Sequence, residues 1–499
     1  MLTALLIAPV VAAAAAVVVR SERWRPLVLP ALGVAHLGLT VGAIATRTRI
    51  TGANTLQSGL WLRLDAAGSV VLLSLSVLFL LVACYAPAYL RIRSERPNRV
   101  LVVCTCLFLC FASLATASQH LGVMWASIEA ATLSVTPMIY FNNNPRSLEA
   151  TWKYLMVGGT GIALALLGTF FLAYSAIAAG DQPSMTYVDL TASVKSFSPA
   201  WLRTAFVLLF VGYGTKMGLA PMHTWKPDTY GETPGMVAAL MAGGMTSVAF
   251  LALMRVVGVM DAAGLGDFAR SLLVFMGLLS MVWAAAFMVR QTDLKRMLAY
   301  SSVEHMGILI VGLGLGPVAL PLVLLHVMGN AVAKTSVFLS VGNIRRVFAS
   351  GSVPGVSGAI RRVPVSAILL LLGFLAATGS PPFSLFLSEF GMLRVAMVSG
   401  QWWTAGIFLL ALALVFVGFS QTLLQAIFGE PPKDDAPVFR DTWRTTAVPA
   451  VGLALVLVLG LWIPAPLQAL FTEAQATAQQ RSGLSAVPAA DASQGQVAP

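Results

Sequence analysis

The sequence predicts an all-α polytopic membrane protein of about 14 transmembrane helices, two of them broken. Three observations carry that reading. Hydrophobic residues make up 58% of the chain and charged residues 10%, with a mean hydropathy of +0.83. Soluble domains carry about 25% charged residues. Apolar stretches of about 18 residues or more, long enough to cross a bilayer, recur along the whole length. Lysine and arginine gather in the short loops between those stretches, mostly in alternate loops. Such a chain must satisfy its backbone polar groups within its own helices, because lipid offers no partners.

The spans fall at roughly 2–19, 26–46, 66–90, 100–117, 120–141, 154–178, 202–221, 234–258, 270–289, 297–315, 317–343, 364–392, 402–428 and 445–465. The odd-numbered loops carry about 20 of the 31 Lys and Arg residues. Examples are Arg91, Arg93, Arg96 and Arg99, then Arg290, Lys295 and Arg296, then Arg345, Arg346, Arg361 and Arg362. Those loops are therefore expected on the cytoplasmic side of a prokaryotic cytoplasmic membrane, with both termini outside. The opening "MLTALLIAPVVAAAAAVVVR" has its positive charges after the apolar run rather than before it. That pattern favours a retained first helix over a cleaved signal peptide. Beyond about residue 466, Ala, Gln, Ser and Pro dominate, and residues 466–499 read as a disordered tail.

The net charge of +11 sits in topology-setting loops rather than in a groove or basic arm, so nucleic acid is not the expected partner. Cys104, Cys106 and Cys110 lie in one apolar span, at a spacing that matches no zinc or iron–sulfur pattern, and read as packing residues. No G-x-x-x-x-G-K-[ST] loop and no strand-framed G-x-G-x-x-G is present. No cofactor, metal or catalytic redox centre is expected in this chain.

What stands out is charge inside the spans. A charged side chain at the bilayer centre costs several kcal/mol and faces protein or water rather than lipid. Glu129 and Lys216 are mid-span, Glu304 and His305 share a span, His326 and Lys334 share the next, and Glu389 lies further on. His326, Asn330 and Lys334 recur at helical spacing and so share one face. Burial penalises a charge and an opposite charge restores it, so a buried lysine with a movable carboxylate neighbour can be loaded and unloaded with a proton. Proline breaks two of these spans: Pro221 after Lys216, and Pro381 with Pro382 before Glu389. Discontinuous helices in corresponding halves point to a transport path. "HTWKPDTYGETPG" reads as a cytoplasmic-side connection, with His223 its best candidate for proton uptake.

At these residues the chain resembles the proton-translocating, antiporter-like subunits of respiratory complex I, Mrp-type cation/proton antiporters and group 4 hydrogenases. The segments that carry the resemblance are "KMGLAPMHTWKPD", "DLKRMLAYSSVEHMG", "LLHVMGNAVAKTSVFLSVGNI" and "GSPPFSLFLSEF", within roughly residues 60–430. "ASIEAATL", "RSLEATWKYL", "GIALALLGTFFLAYSA" and "LAYSSVEHMGIL" make it most similar to the F component of hydrogenase-4. The resemblance implies two inverted five-helix repeats with broken seventh and twelfth helices. It divides the chain into N-terminal helices at 1–95, a first repeat at 96–260, a second at 261–430 and a last helix at 431–465. It pairs Glu129 with Lys216, gives Lys334 and His326 relay roles, and makes Glu389 the exit-side acid. It departs from the family pattern in three places. The eighth span, "MVAALMAGGMTSVAFLALM", has no titratable residue. Lys226 and Tyr230 replace a leucine and a histidine. Asn330 stands where relatives often have histidine.

The implied function is proton translocation as one subunit of a complex I-like or group 4 hydrogenase-like assembly. Redox chemistry in other membrane and peripheral subunits would drive it. Sodium/proton exchange, and membrane partnership in an inorganic-carbon uptake complex, are the alternatives.

Overall fold

A computed structural model describes residues 1–50, 61–182, 184–289, 291–348, 350, 352–430 and 439–483. Arg290 and the tail beyond residue 483 lie outside the described residues.

Among the described residues the fold is all helix, and the β contacts are three isolated bridges in loops. In chain order the helices are α1 (Leu2–Val18), α2 (Val28–Ile50), α3 (Ala66–Ile92), α4 (Arg99–Ala117), α5 (Leu121–Ile139), α6 (Pro145–Ile177) and α7 (Tyr187–Ser193). Next come α8 (Pro199–Met217), α9 (Trp225–Glu232), α10 (Gly235–Ala239), α11 (Thr246–Ala262), α12 (Gly266–Met288), α13 (Leu294–Gly314) and α14 (Leu320–Phe348). The last are α15 (Val353–Val356), α16 (Ala359–Arg362), α17 (Pro364–Ala377), α18 (Ser384–Val398), α19 (Trp402–Phe428), α20 (Trp443–Leu461) and α21 (Ala465–Ser482). A π-helical turn, Leu240–Met245, joins α10 to α11.

Each of the expected spans coincides with a helix or a broken helix pair. Among the described residues ten helical segments are long and apolar enough to cross a membrane, and α1 and α17 are shorter apolar helices. Helices α5 and α8, which carry Glu129 and Lys216, are outside those ten because their polar residues dilute the hydropathy. The protein is an integral membrane protein. The segments containing α10–α11, α13 and α14 are almost wholly buried, whereas α6, α12, α19 and α20 turn apolar faces outward.

Two helix pairs approach unusually closely, and small residues are the reason. A Cβ added to Gly212 of α8 would lie 2.6 Å from the Ala165 nitrogen and 2.7 Å from the Gly161 carbonyl of α6. A Cβ on Gly277 of α12 would lie 2.8 Å from the Gly307 carbonyl of α13, and one on Gly307 would lie 2.7 Å from the Gly277 carbonyl. In a bilayer there is little hydrophobic drive between helices, so backbone-to-backbone packing of this kind supplies the association.

Both expected breaks are present. Helix α8 ends at Gly218, whose left-handed backbone (φ 72) turns the chain out of the helix. The Trp225 indole donates to the freed Thr215 carbonyl at 2.9 Å, and the Ser280 hydroxyl accepts from the Ala220 amide at 3.0 Å. The stretch read as a connection is instead largely helix. Trp225, Lys226, Pro227, Thr229, Tyr230 and Gly231 of α9 are buried. Pro221 breaks the helix, but the aromatic side chains beyond it pack inward and rebuild a turn. Trp225 meets Tyr154 edge-on at 5.2 Å, and Tyr230 meets Phe338 at 5.5 Å. The second break separates α17 from α18 around Pro381 and Pro382.

The segment expected to be disordered from residue 466 forms α21 instead. Leu467, Leu470, Phe471 and Ala474 make one buried apolar stripe along it. Composition hid the stripe, because the Ala and Gln between its members are themselves good helix formers. Helix α21 rests on α3, α11 and α14. Arg481 donates to the Tyr187 hydroxyl at 2.6 Å, and Arg47 pairs with Glu473.

The glycine contacts make a direct prediction. Gly212→Val forces α6 and α8 apart and lowers stability by about 1–3 kcal/mol, as overpacking does. Gly159→Ala, on α6 where nothing lies within 4 Å of the added Cβ, leaves stability unchanged or slightly raised. Thermal unfolding of the detergent-purified protein checks both.

Candidate functional site

Two buried clusters form at the two breaks. At the first, Lys216 is 1% exposed and its Nζ lies 3.5 Å from Glu129 Oε2 on α5. The ammonium donates to Thr132 Oγ1 at 2.8 Å and lies 5.5 Å from the centre of the Tyr154 ring. It sits over Gly158, where a Cβ would come within 2.9 Å of Nζ. Glu129 is 25% exposed, so part of its side chain reaches the flank of the bundle while Lys216 lies inside.

At the second, Glu304, His305, His326, Lys334 and Glu389 are all buried. Lys334 Nζ donates to Ser301 Oγ at 2.5 Å. Glu304 and Glu389 both lie within electrostatic reach of Lys334, but neither makes a contact ion pair with it. His305 Nδ1 and His326 Nε2 are 3.0 Å apart, and His326 Nδ1 is 2.9 Å from Ser388 Oγ. The Ser388 hydroxyl donates to the Leu385 carbonyl at 2.8 Å, so it accepts from His326 Nδ1. Neutral His326 then accepts at Nε2 from His305 Nδ1. The result is a polarised chain that ends beside Glu389. Glu389 fills a notch at Gly379, on the turn of the second break, where a Cβ would overlap its carboxylate.

Among the described residues, several buried polar atoms near this path have no hydrogen-bond partner. They are one oxygen each of Glu129, Glu304 and Glu389, His305 Nε2, both side-chain polar atoms of Asn330, and the hydroxyls of Tyr154 and Tyr230. Buried polar groups are normally satisfied, so these atoms mark where ordered water would bond. His305, His326 and Glu389 place one donor atom each within 4.8 Å of one another, and that donor set could hold a metal ion. As they stand, the two imidazoles bond each other and Ser388, which suits proton transfer.

The expected residues are thus brought together as two groups, Glu129–Lys216 and Glu304–His305–His326–Lys334–Glu389. His223 joins neither by hydrogen bond. It is buried between Trp283 and Tyr300, with ring centres 6.0 and 6.1 Å away. Sequence reading missed several buried groups, among them His36, Arg255 and Lys226. His36 is held at both ring nitrogens by Ser76 and Ser113, each at 3.0 Å, and is a satisfied core residue. Arg255, at the end of a span read as free of charge, donates to Asp65 at 3.0 Å and to the Ser118 and Thr116 carbonyls at 2.7 and 2.8 Å. Lys226 is completely buried. The helical spacing of Trp225, Lys226 and Tyr230 was the available signal for it.

Comparison with known proteins follows the same lines. Residues 118–415 match the family described as NADH:quinone oxidoreductase/Mrp antiporter, TM. A hydrogenase-4 component F homolog of Methylacidiphilum infernorum is 35% identical over 358 residues, covering 70% of this chain and 74% of that protein. The chain belongs to this antiporter family. Another antiporter-family relative, NADH-quinone oxidoreductase subunit N of Desulforudis audaxviator, is 30% identical over 407 residues, covering 80% of this chain and 79% of that protein. Among solved structures, a chain of an archaeal membrane-bound sulfane sulfur reductase superposes with a TM-score of 0.86 at 20% identity, covering 97% of this chain and 98% of that one. A chain of the Mrp complex from Dietzia sp. gives 0.83 at 18% identity, with 97% and 99% covered. These structures confirm the antiporter-family fold.

The Asp65–Arg255 pair is an anchor outside the relay. Burial works against the charge on Asp65, but the Arg255 guanidinium and the Gly68 amide outweigh it and hold the carboxyl below its usual range. A lowered carboxyl stabilises the fold above its unfolded value, about pH 4, and loses that contribution as pH falls through the folded value. Asp65→Asn therefore costs about 2 kcal/mol at neutral pH. It also removes the part of the acid-induced stability loss that lies below about pH 4, which thermal unfolding across pH would show.

Proposed function

We propose that this chain carries protons across the membrane as one subunit of a complex I-like or group 4 hydrogenase-like assembly. The observation that supports it best is the pairing of two helix breaks with two buried clusters of proton-exchanging groups. Each cluster places a lysine near a carboxylate: Lys216 lies 3.5 Å from Glu129, and Lys334 lies within electrostatic reach of Glu304 and Glu389 without a contact pair. Glu129 and Lys216 act as a switch. A carboxylate approaching Lys216 favours the ammonium, and one withdrawing releases the proton. The electrostatic energy at such separations, several kcal/mol in a low-dielectric interior, suffices to change occupancy. Lys334 receives the proton between Glu304 and Glu389. The His305–His326–Ser388 chain leads it towards Glu389, the exit-side acid, and His223 serves proton uptake from the cytoplasm.

The relatives' names supply the driving force in this reading. Hydrogenase-4 and NADH-quinone oxidoreductase are redox assemblies, and this chain would be their kind of membrane subunit. Glu129, whose side chain is partly exposed, is where a neighbouring subunit would act. The two glycine-packed helix pairs and the two breaks support a division into two antiporter-like repeats, residues 96–260 and 261–430. The alternating basic loops support both termini lying outside a prokaryotic cytoplasmic membrane. Sodium exchange is the weaker reading, because sodium needs several oxygen ligands and each break offers few carboxylates.

In membrane vesicles holding the assembled complex, Lys216→Met lowers proton translocation by at least about tenfold while the complex still purifies intact. Unchanged translocation per electron transferred would overturn the proposal. Replacing sodium by potassium throughout leaves proton movement unaltered. Collapse of pumping in sodium-free medium would instead establish the exchanger.

A further inference from the structure

Lys226 has a position that the two clusters leave unexplained. It is completely buried, and no carboxylate pairs with it among the described residues. Its Nζ makes one hydrogen bond, to the Ser302 carbonyl at 3.2 Å. Its stem lies along Gly218, where an added Cβ would meet Cδ at 2.5 Å and Nζ at 3.1 Å. Gly218 is the turn that ends α8, two residues after Lys216. Ser302, at the other end of the side chain, follows Ser301, the residue that takes Lys334 Nζ. Two lysines, one from the first break and one from α14, therefore converge on consecutive residues of α13.

Lys334, His223 and His305 are titratable groups within electrostatic reach of Lys226. Lys334 and Lys226 repel each other, and the charge of Lys226 is felt at His223 and His305. Two ammonium groups in a low-dielectric interior are costly to hold together. A proton placed on one therefore favours its departure from the other. Among the described residues no fixed anion holds Lys226 in one state, and its amine reaches the same turn of α13 as Lys334.

We propose that Lys226 is a third proton-holding site, which links Lys216 at the first break to Lys334 in the second cluster. This inference rests on the proton-carrying reading above and adds the step between its halves. A proton leaves the Lys216 ammonium, which becomes the neutral amine, and passes through water to the neutral amine of Lys226. The Lys226 ammonium then repels the Lys334 ammonium. Lys334 gives its proton towards Glu389 and becomes neutral, and Lys226 passes its own proton on to Lys334. Each step moves one proton between existing bases and needs no other reactant.

The test uses vesicles carrying the intact complex with Lys226→Gln, Lys226→Arg or Lys226→His, beside Lys216→Met. Arginine keeps the stem and the charge but does not release a proton at working pH. Electron transfer and assembly should survive in the Arg variant, while proton translocation falls by at least about tenfold. The His variant should restore part of the translocation, with its pH profile shifted to acid because histidine titrates near about 6.5. If Lys216→Met stops translocation but Lys226→Arg pumps normally, the link through Lys226 is wrong and the broader reading stands. If Lys216→Met pumps normally, the broader reading itself fails. Should the Gln variant not accumulate, the Arg and His pair decides. Failure of all three to accumulate would make Lys226 a packing residue and overturn the proposal.

Discussion

A charge held inside a membrane must be supported by something other than water, and the rest of this structure follows from that constraint. Lys216, Lys226 and Lys334 each bring a basic amino group into the interior. Lys216 pairs with Glu129 only at 3.5 Å, and Lys226 and Lys334 have no contact ion pair among the described residues. Each is supported by weaker partners: a threonine hydroxyl, a backbone carbonyl, a serine hydroxyl. A tight pair would be more stable and would also be inert, because the proton would have no reason to leave. The bundle therefore has to be stable for other reasons. The glycine-mediated contacts of α6 with α8 and of α12 with α13 supply that stability without spending polar groups.

The breaks serve the same end. Interrupting a transmembrane helix frees carbonyls and amides that lipid cannot satisfy. At the first break, a tryptophan indole and a serine hydroxyl from neighbouring segments take up those groups. The repair uses side chains that cannot exchange protons at ordinary pH, so it does not compete with the path beside it. At the second, the turn itself makes the notch that receives Glu389. Structure and chemistry are thus assigned to different residues within a few ångströms of each other.

Much of this was legible in the sequence. Hydropathy located the helices, the prolines located both breaks, and intramembrane charge located both clusters, because each of these signals has a direct energetic cost in lipid. The rest was hidden for identifiable reasons. Lys226 lies beyond a proline in a polar-looking stretch, where polarity suggests exposure, but the aromatic residues around it set an inward face. Arg255 stood at the margin of a span, where a charge is usually wetted, and only its carbonyl partners on α4 and the following loop show it buried. Helix α21 was disguised by a composition typical of linkers. Pairing across the bundle, such as His305 with His326, depends on helix rotation, and spacing within one helix does not encode that.

Three of the charged groups lie over glycines: Lys216 over Gly158, Lys226 over Gly218 and Glu389 over Gly379. In each case the missing atom is the methyl group that any other residue would bring. The path is therefore defined by absences as much as by its titratable side chains. A change from glycine to alanine at any of these points would leave every acid and base in place and keep the membrane topology. It would still move a charge off its station. Sequence comparisons that score only the polar residues would count such a chain as intact, although the volume its protons need had been filled.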